Sequence, residues 1–459
     1  MPIKRTPNLN YLRYNAGVDR CSGGIILIVD SPKVLGYAKS SNGLTFALAG
    51  AGGRGWMFAE WLESNVCPGA VVAIAEPNDA RREAVSVIHG IPPERQFRSW
   101  QEMLDQPRLA DVLLNTTMDR DHLEAGVAAM KAGYHMLLEK PMATSLSQCV
   151  EIDRVRRETN RIVSVCHSLR YHGVYEEVRR IIRSGVIGDV VSLDQLEAVE
   201  TVHQSHSFVR GNWGNEGRST FMLLAKSCHD LDIIVDLVDR DCLKVHSFGS
   251  LFYFKKENQP AGAPDRCVDG CPVEESCPYS ALKLYVGDSP WTHHAGFSGL
   301  APAEARAKLK TSPYGRCVFK TDNDVVDHQV VSMEFEGGVT ATFTMTAFTP
   351  WGGRYLRVHG TKGYIEAKID QHTIDLYEFW QHNKHSHIKI AEEGGAHGGA
   401  DASVIKSLIA AIEMEDPASV RTSTAESLRS HSVVFAAERS RKEGRQVSVR
   451  EVLDEPDGS

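Results

Sequence analysis

From residue 44 onward the chain alternates short apolar runs with amphipathic stretches. Apolar runs at 45–49, 71–75, 111–115 and 136–138 are separated by stretches of helical period at 56–63, 79–88 and 122–131. Strand-then-helix alternation of this kind predicts a doubly wound α/β unit on a parallel sheet, with any ligand in the crevice outside the carboxyl ends of the strands. Past residue 163 the pattern changes. Longer β-rich stretches at 190–197, 245–254, 330–335 and 339–346 alternate with period two and are separated by polar turns such as Glu336-Gly337-Gly338. They predict an α+β C-terminal domain with a large, mostly antiparallel sheet. Helical period returns at 402–414 and 424–442. The expected organisation is an N-terminal extension at 1–43 that matches no motif, a first domain at 44–166, and a second at 167–459 interrupted by an insertion at about 260–320.

A chain of 459 residues exceeds one ordinary core, which agrees with a multi-domain reading. A net charge of −8 without a basic block argues against a nucleic-acid partner. The longest early apolar stretch, 25–29, stops at Asp30, too short for a signal-peptide core or a membrane span. A cytoplasmic location is therefore expected, with the ten cysteines mostly reduced.

Candidate chemistry begins where the run 45–49 meets Gly50-Ala51-Gly52-Gly53-Arg54-Gly55 and then a helical stretch. In that context Gly50 permits the tight turn, Gly52 and Gly53 let backbone approach a pyrophosphate, and Gly55 lets helix and strand pack closely. The first domain thus reads as a Rossmann dinucleotide-binding fold. Glu76 ends the next strand, 21 residues past Gly55, at the offset where a carboxylate grips ribose hydroxyls. Such an acid repels a 2′-phosphate, so NAD is expected over NADP, although Arg54 keeps the second open.

Four segments then carry a family likeness: the glycine turn, "AGYHMLLEKPMA" at 132–143, "HSLRYHGVYEEVRRIIRSGVIGDVVSL" at 167–193, and "KSCHDLDII" at 226–234. With these the chain resembles the Gfo/Idh/MocA oxidoreductases, the glucose-fructose and inositol dehydrogenase-like enzymes. The resemblance implies that Glu139 and Lys140 end a parallel strand at the cofactor crevice, with Lys140 near the nicotinamide and the substrate hydroxyl and a cis bond before Pro141. Asn115 ends a strand, and His122 matches a position beside the cofactor; a place on a helix surface is the equal alternative. His229 matches the family's catalytic histidine, suited to moving a hydroxyl proton near neutral pH. Most dehydrogenases of the family carry an aspartate four residues earlier, where this chain has Ala225. Lys226 beside that gap is then expected to contact substrate. With Arg170 and Arg218 it suggests an anionic sugar such as a uronate or a sulfonated sugar. Residues 221–238 read as one helix, with Lys226, His229 and Asp232 close together on one face. Tyr171 and Trp213 offer a stacking wall or simple packing, and His397 and Asp401 are candidate polar groups of the cavity.

Cys267, Cys271 and Cys277, with Cys317 downstream, suggest a structural Zn²⁺ stapling an insertion poor in core-forming residues. The function expected is NAD-dependent hydride transfer from a secondary alcohol of a small carbohydrate, with Lys140 and His229 handling the proton. Alternatives are a redox-neutral, NAD-dependent glycoside hydrolase and a non-catalytic nucleotide sensor. The family likeness also implies a homodimer or homotetramer.

Overall fold

The computed structural model describes residues 18–19, 25–29, 43–64, 66–380, 382–391 and 399–456. Two sheets organise the chain. The first has six parallel strands in the order Gln96–Phe97, Ala70–Ala75, Thr45–Ala49, Val112–Asn115, His135–Leu138 and Val163–Val165. Its central strands are covered on both faces and buried almost throughout, which is why they read as unbroken apolar runs instead of alternating ones. Register pairs Ala49 with Ala75 and Asn115, and Asn115 with Leu138. The segments that begin at Gly50, Glu76, Thr116 and Glu139 therefore open on one edge.

The second sheet has eleven strands: Val18–Asp19, Ile25–Val29, Lys384–Ile390, Thr373–Glu378, Gly363–Lys368, Gly353–Gly360, Val190–Ala198, Thr340–Thr346, His328–Phe335, Cys242–Ser250 and Val447–Ser448, in that order. Neighbours are antiparallel except where Val190–Ala198 meets Thr340–Thr346 and where Lys384–Ile390 meets Ile25–Val29. Part of the N-terminal extension thus adds two strands to the edge of this sheet. Helices Gly173–Arg183, Cys228–Val238 and Thr424–Glu443 pack on one face, and strands such as His328–Phe335 alternate in burial accordingly. The longest helix is delimited chemically. The Ser423 side chain accepts from the Glu426 amide at its start, and Gly444 takes the left-handed conformation at its end.

Helix Ala400–Glu413 follows the second sheet in the chain but packs on the first. Val404, Ile405, Leu408 and Ile409 share a core with Phe46, Leu48, Val71 and Ile74. Nearby, the Val165 amide donates to the Thr422 carbonyl at 2.8 Å.

The insertion links the paired strands Cys242–Ser250 and His328–Phe335. Contrary to expectation it builds cores of its own, one around Leu284, Tyr285, Phe297 and Leu309, another around Phe254, Tyr279, Val318 and Phe319. The expected single helix at 221–238 is broken into Met222–Ala225 and Cys228–Val238. At the break the Ala225 carbonyl turns to another partner.

Candidate active site

The glycine turn has the shape its residues imply. Gly50 sits at φ +91°, and a Cβ there would lie 2.5 Å from the Thr116 carbonyl oxygen. A Cβ on Gly55 would lie 2.0 Å from the Gly50 carbonyl oxygen, so only glycine lets the helix start this close to the strand. At Gly52 and Gly53 nothing lies within 4 Å of the corresponding point. Those two positions leave open space at the N-terminus of helix Gly53–Glu63, the place a pyrophosphate would take.

Glu76 is buried at the strand end, where its carboxylate accepts from the Ala51 amide (2.7 Å), the Asn78 amide (2.9 Å) and the Arg81 guanidinium (2.8 Å). It braces the turn, with Oε1 taken up by the Asn78 amide and the half-exposed Arg81 side chain. Arg54 is already committed. Its Nε donates to Glu139 at 2.5 Å, and its two terminal nitrogens clamp Asp401 at 2.8 and 2.9 Å. It therefore links the turn, the strand end before Lys140 and the late helix instead of awaiting a 2′-phosphate. His397 lies outside the described residues.

The Lys140–Pro141 bond is cis. Glu139 accepts from the Lys140 amide at 3.0 Å. The Lys140 ammonium donates to the Ala225 carbonyl at 2.8 Å, so the backbone of the broken helix holds the lysine. His122 is buried at the start of helix His122–Lys131 and not on its surface. Its Nδ1 donates to the Pro141 carbonyl at 2.7 Å, which buttresses the turn beneath Lys140. Asn115 is fully buried, donating to the His122 carbonyl (3.3 Å) and accepting from Thr117 (2.7 Å). It supports the crevice from behind.

One cavity of about 310 Å³ collects most of these groups. Gly52, Arg54, Thr117, His122, Glu139 and Lys140 form the wall nearer the first sheet. Facing them are Ala225, Lys226 and His229 from the broken helix, Trp213, and Arg354. The Trp213 indole donates to Asp119 at 3.2 Å, fixing a partly exposed ring at the rim. Lys226 pairs with the buried Glu197 (2.9 Å), which also pairs with Arg354 (2.8 Å), itself paired with Asp230 (2.8 Å). Two cations and two carboxylates balance there.

Three expected site residues lie elsewhere. Arg170 is buried and makes a bidentate pair with Asp232 at 2.7 and 2.8 Å. Burial would raise the Asp232 carboxyl, but the guanidinium overrides it and holds the group down at about 2. Asp232 consequently turns away from Lys226 and His229. Tyr171 is packed in a core, donating to Ser407 at 3.2 Å with the Arg421 guanidinium over its ring. Arg218 is at the surface, paired with Asp322. Behind His229 stand the buried rings of His167 and His431, at centroid distances of 5.7 Å from His229 to His167 and 5.3 Å from His167 to His431. Burial lowers His167 to about 4 and His431 to about 3, so both rings are neutral near pH 7.

The zinc expectation is not supported. Cys267, Cys271, Cys277 and Cys317 do line one small void. Among the described residues, however, no group of three or more His, Cys, Asp or Glu side chains is arranged to hold a metal ion. Burial raises the thiols of Cys277 and Cys317, and the insertion has aromatic cores of its own.

Three cavity residues carried no signal that pattern reading recognises. His203, Ser207 and Phe208 fall in "VHQSHSF", which has neither helical nor strand period. Arg354 reaches the site from a strand more than a hundred residues further along the chain.

A parallel sheet, a glycine turn at its carboxyl edge, and an amine and an imidazole facing that turn define a nicotinamide-dependent oxidoreductase. The chain belongs to the Gfo/Idh/MocA oxidoreductase family: the model of its NAD-binding Rossmann fold matches residues 44–167 and that of its C-terminal α/β domain residues 179–449. It is 23% identical over 335 residues to the Bacillus subtilis protein named as oxidoreductase YteT, spanning 69% of this chain and 76% of that one. It is 25% identical over 153 residues to an inositol 2-dehydrogenase/D-chiro-inositol 3-dehydrogenase of Lactiplantibacillus plantarum, covering 33% and 40% of the two chains. Its fold is similar to that of a levoglucosan dehydrogenase solved with NADH and levoglucosan, with a TM-score of 0.66, 16% identity, and 89% and 100% of the two chains covered. Among the described residues no helix is long and apolar enough to cross a membrane.

Proposed function

We propose that the protein is an NAD-dependent dehydrogenase acting on a secondary alcohol of a neutral sugar or polyol. The observation that carries this reading is the convergence of Lys140, beside the glycine turn, and His229, on the facing wall, on one cavity. The residues present fit a dinucleotide. Open space at Gly52 and Gly53 leaves room for phosphates on backbone amides, and Glu76 stands at the ribose end. When bound, NAD supplies the acceptor for hydride. Lys140 spends one of its three N–H donors on Ala225 and keeps two for the substrate oxygen. His229 takes the hydroxyl proton as the carbinol C–H bond breaks, leaving a ketone.

Neutrality follows from the charge pattern. Of the cations expected to bind an anion, Arg170 is paired with the buried Asp232, Arg218 with Asp322 at the surface, and Lys226 within the cavity with Glu197; the further cavity cation, Arg354, is matched by Glu197 and Asp230. An inositol dehydrogenase and a levoglucosan dehydrogenase among the similar proteins agree with a neutral hydroxylated ring.

The test is to incubate the protein and NAD⁺ with neutral sugars, polyols and glycosides while following both NADH and released sugar. Stoichiometric NADH supports the dehydrogenase. Glycoside cleavage without net NADH would replace it by the hydrolase, and cofactor binding with neither product by the sensor. Lys140→Met is expected to lower turnover by about 10²–10⁴-fold with NAD affinity unchanged; undiminished turnover would remove Lys140 from the mechanism.

A further inference from the structure

We propose that His203, at the end of a short helix, and Ser207, on the π-helical segment that follows it and that the cysteine-rich insertion clamps in place, form the subsite that reads the hydroxyls of a neutral ring substrate. This deepens the function proposed above and rests on it. Residues Gln204–Arg210 wind as a π-helix immediately after the short helix Thr201–His203. Such winding is rare and poorly bonded, and it concentrates at functional sites. Here it brings His203, Ser207 and Phe208 to the cavity that holds Lys140 and His229.

The side of the segment away from the cavity is gripped at two points. His206 stacks on Tyr314 at 4.5 Å and 6°, and its Nδ1 lies 3.0 Å from the Tyr285 hydroxyl. Arg210 is buried, donating to the Arg316 carbonyl at 2.7 Å and the Tyr279 carbonyl at 2.6 Å. All four partners belong to the insertion. Trp291, also from the insertion, meets the His203 ring at 5.7 Å. The insertion therefore fixes the shape of the substrate-side wall without lining the cavity itself.

The chemistry of the wall selects the ligand. Burial among Lys226, His206, His294 and Arg354 pushes the His203 imidazole down to about 2, so it stays neutral and offers one donor and one acceptor. The Ser207 hydroxyl offers both as well. A pair of donor–acceptor groups matches hydroxyls, which both donate and accept, whereas a carboxylate accepts only and leaves their acceptor atoms unused. Phe208 and Trp213 cover the apolar face of a ring between them, their own centroids 6.5 Å apart.

The test uses the full chain loaded with NADH and titrates it by calorimetry with myo-inositol, glucose and 1,5-anhydroglucitol, with galacturonate as the anionic control. For the neutral ligand bound best by the parent, His203→Ala and Ser207→Ala are each expected to raise Kd by about tenfold or more. Affinity for NADH should stay within about twofold, and His203→Gln should recover part of the loss. Tyr314→Ala, which touches the wall only from behind, should raise the same Kd and leave NADH binding alone. Parent-like affinity in both alanine variants would overturn the subsite and leave the dehydrogenase standing. Preference for galacturonate, or no binding of any neutral ligand by the NADH-loaded parent, would overturn the neutral-ring assignment. Failure of the parent to bind NADH would sink the function itself.

Discussion

Asp232→Asn separates a structural ion pair from a substrate contact, because the two assignments of Arg170 predict opposite outcomes. The pair is buried on both sides, with side-chain exposures of 3% and 1%. Holding the Asp232 carboxyl down at about 2, against an ordinary value of 3.8, corresponds to about 2–3 kcal/mol of folding stability near pH 7. Removing one partner of a buried pair costs about 3–5 kcal/mol in general. Asp236 and Glu426, each 3.4 Å from the Arg170 Nη1, retain part of the guanidinium's stabilisation, so a loss of about 3 kcal/mol is expected. The pH dependence has a definite sign. A depressed folded-state pKa gives stability that is fully present above the unfolded value and is lost only as pH falls through the folded one. The gap between parent and variant should therefore be constant from about pH 8 to about pH 5 and should narrow below about pH 4. Urea unfolding followed by circular dichroism across that range measures it, with KM for the alcohol determined on the same preparations. A variant as stable as the parent but with a raised KM would return Arg170 to the substrate site and refute the reasoning.

Gly55→Ala should abolish NAD binding and lower the melting temperature, since its methyl would meet the Gly50 carbonyl at 2.0 Å. Gly52→Ala, with open space around it, should melt like the parent yet bind NAD at least about tenfold more weakly, because the methyl occupies the ligand's room; calorimetry and a thermal scan of both variants distinguish the two effects. Glu76→Ser should weaken NAD and strengthen NADP, because it removes an acid and releases Arg81. An unchanged ratio of the two dissociation constants would count against Glu76 as the ribose-end discriminator.

What could be read from the sequence was local. The glycine turn, the acid after the second strand and the Glu139-Lys140 strand end all follow from short-range period and spacing, because a parallel strand and the turn after it are contiguous. The break at Lys226 was not legible: residues 221–238 keep a helical apolar stripe across it, and only the Lys140 ammonium, 85 residues away, reveals where the Ala225 carbonyl goes. Arg170 looked like a ligand group because a guanidinium near a catalytic motif invites an anion, whereas its partner lies 62 residues on. Arg54 was read as an open phosphate contact for the same reason, and its partner Asp401 is 347 residues distant. Charge pairing across the fold, unlike amphipathic period, leaves no trace in the spacing of the residues involved.

The return of helix Ala400–Glu413 to the first sheet bears on how the chain matures. A ribosome releases residues 44–166 long before this helix exists, and until it arrives Phe46, Leu48, Val71 and Ile74 lack part of their cover while Arg54 lacks Asp401. Coenzyme grip is thus among the last properties a nascent chain acquires. A product cut short before Ala400 would forfeit not only that helix but the nucleotide hold built around Arg54, 347 positions before Asp401.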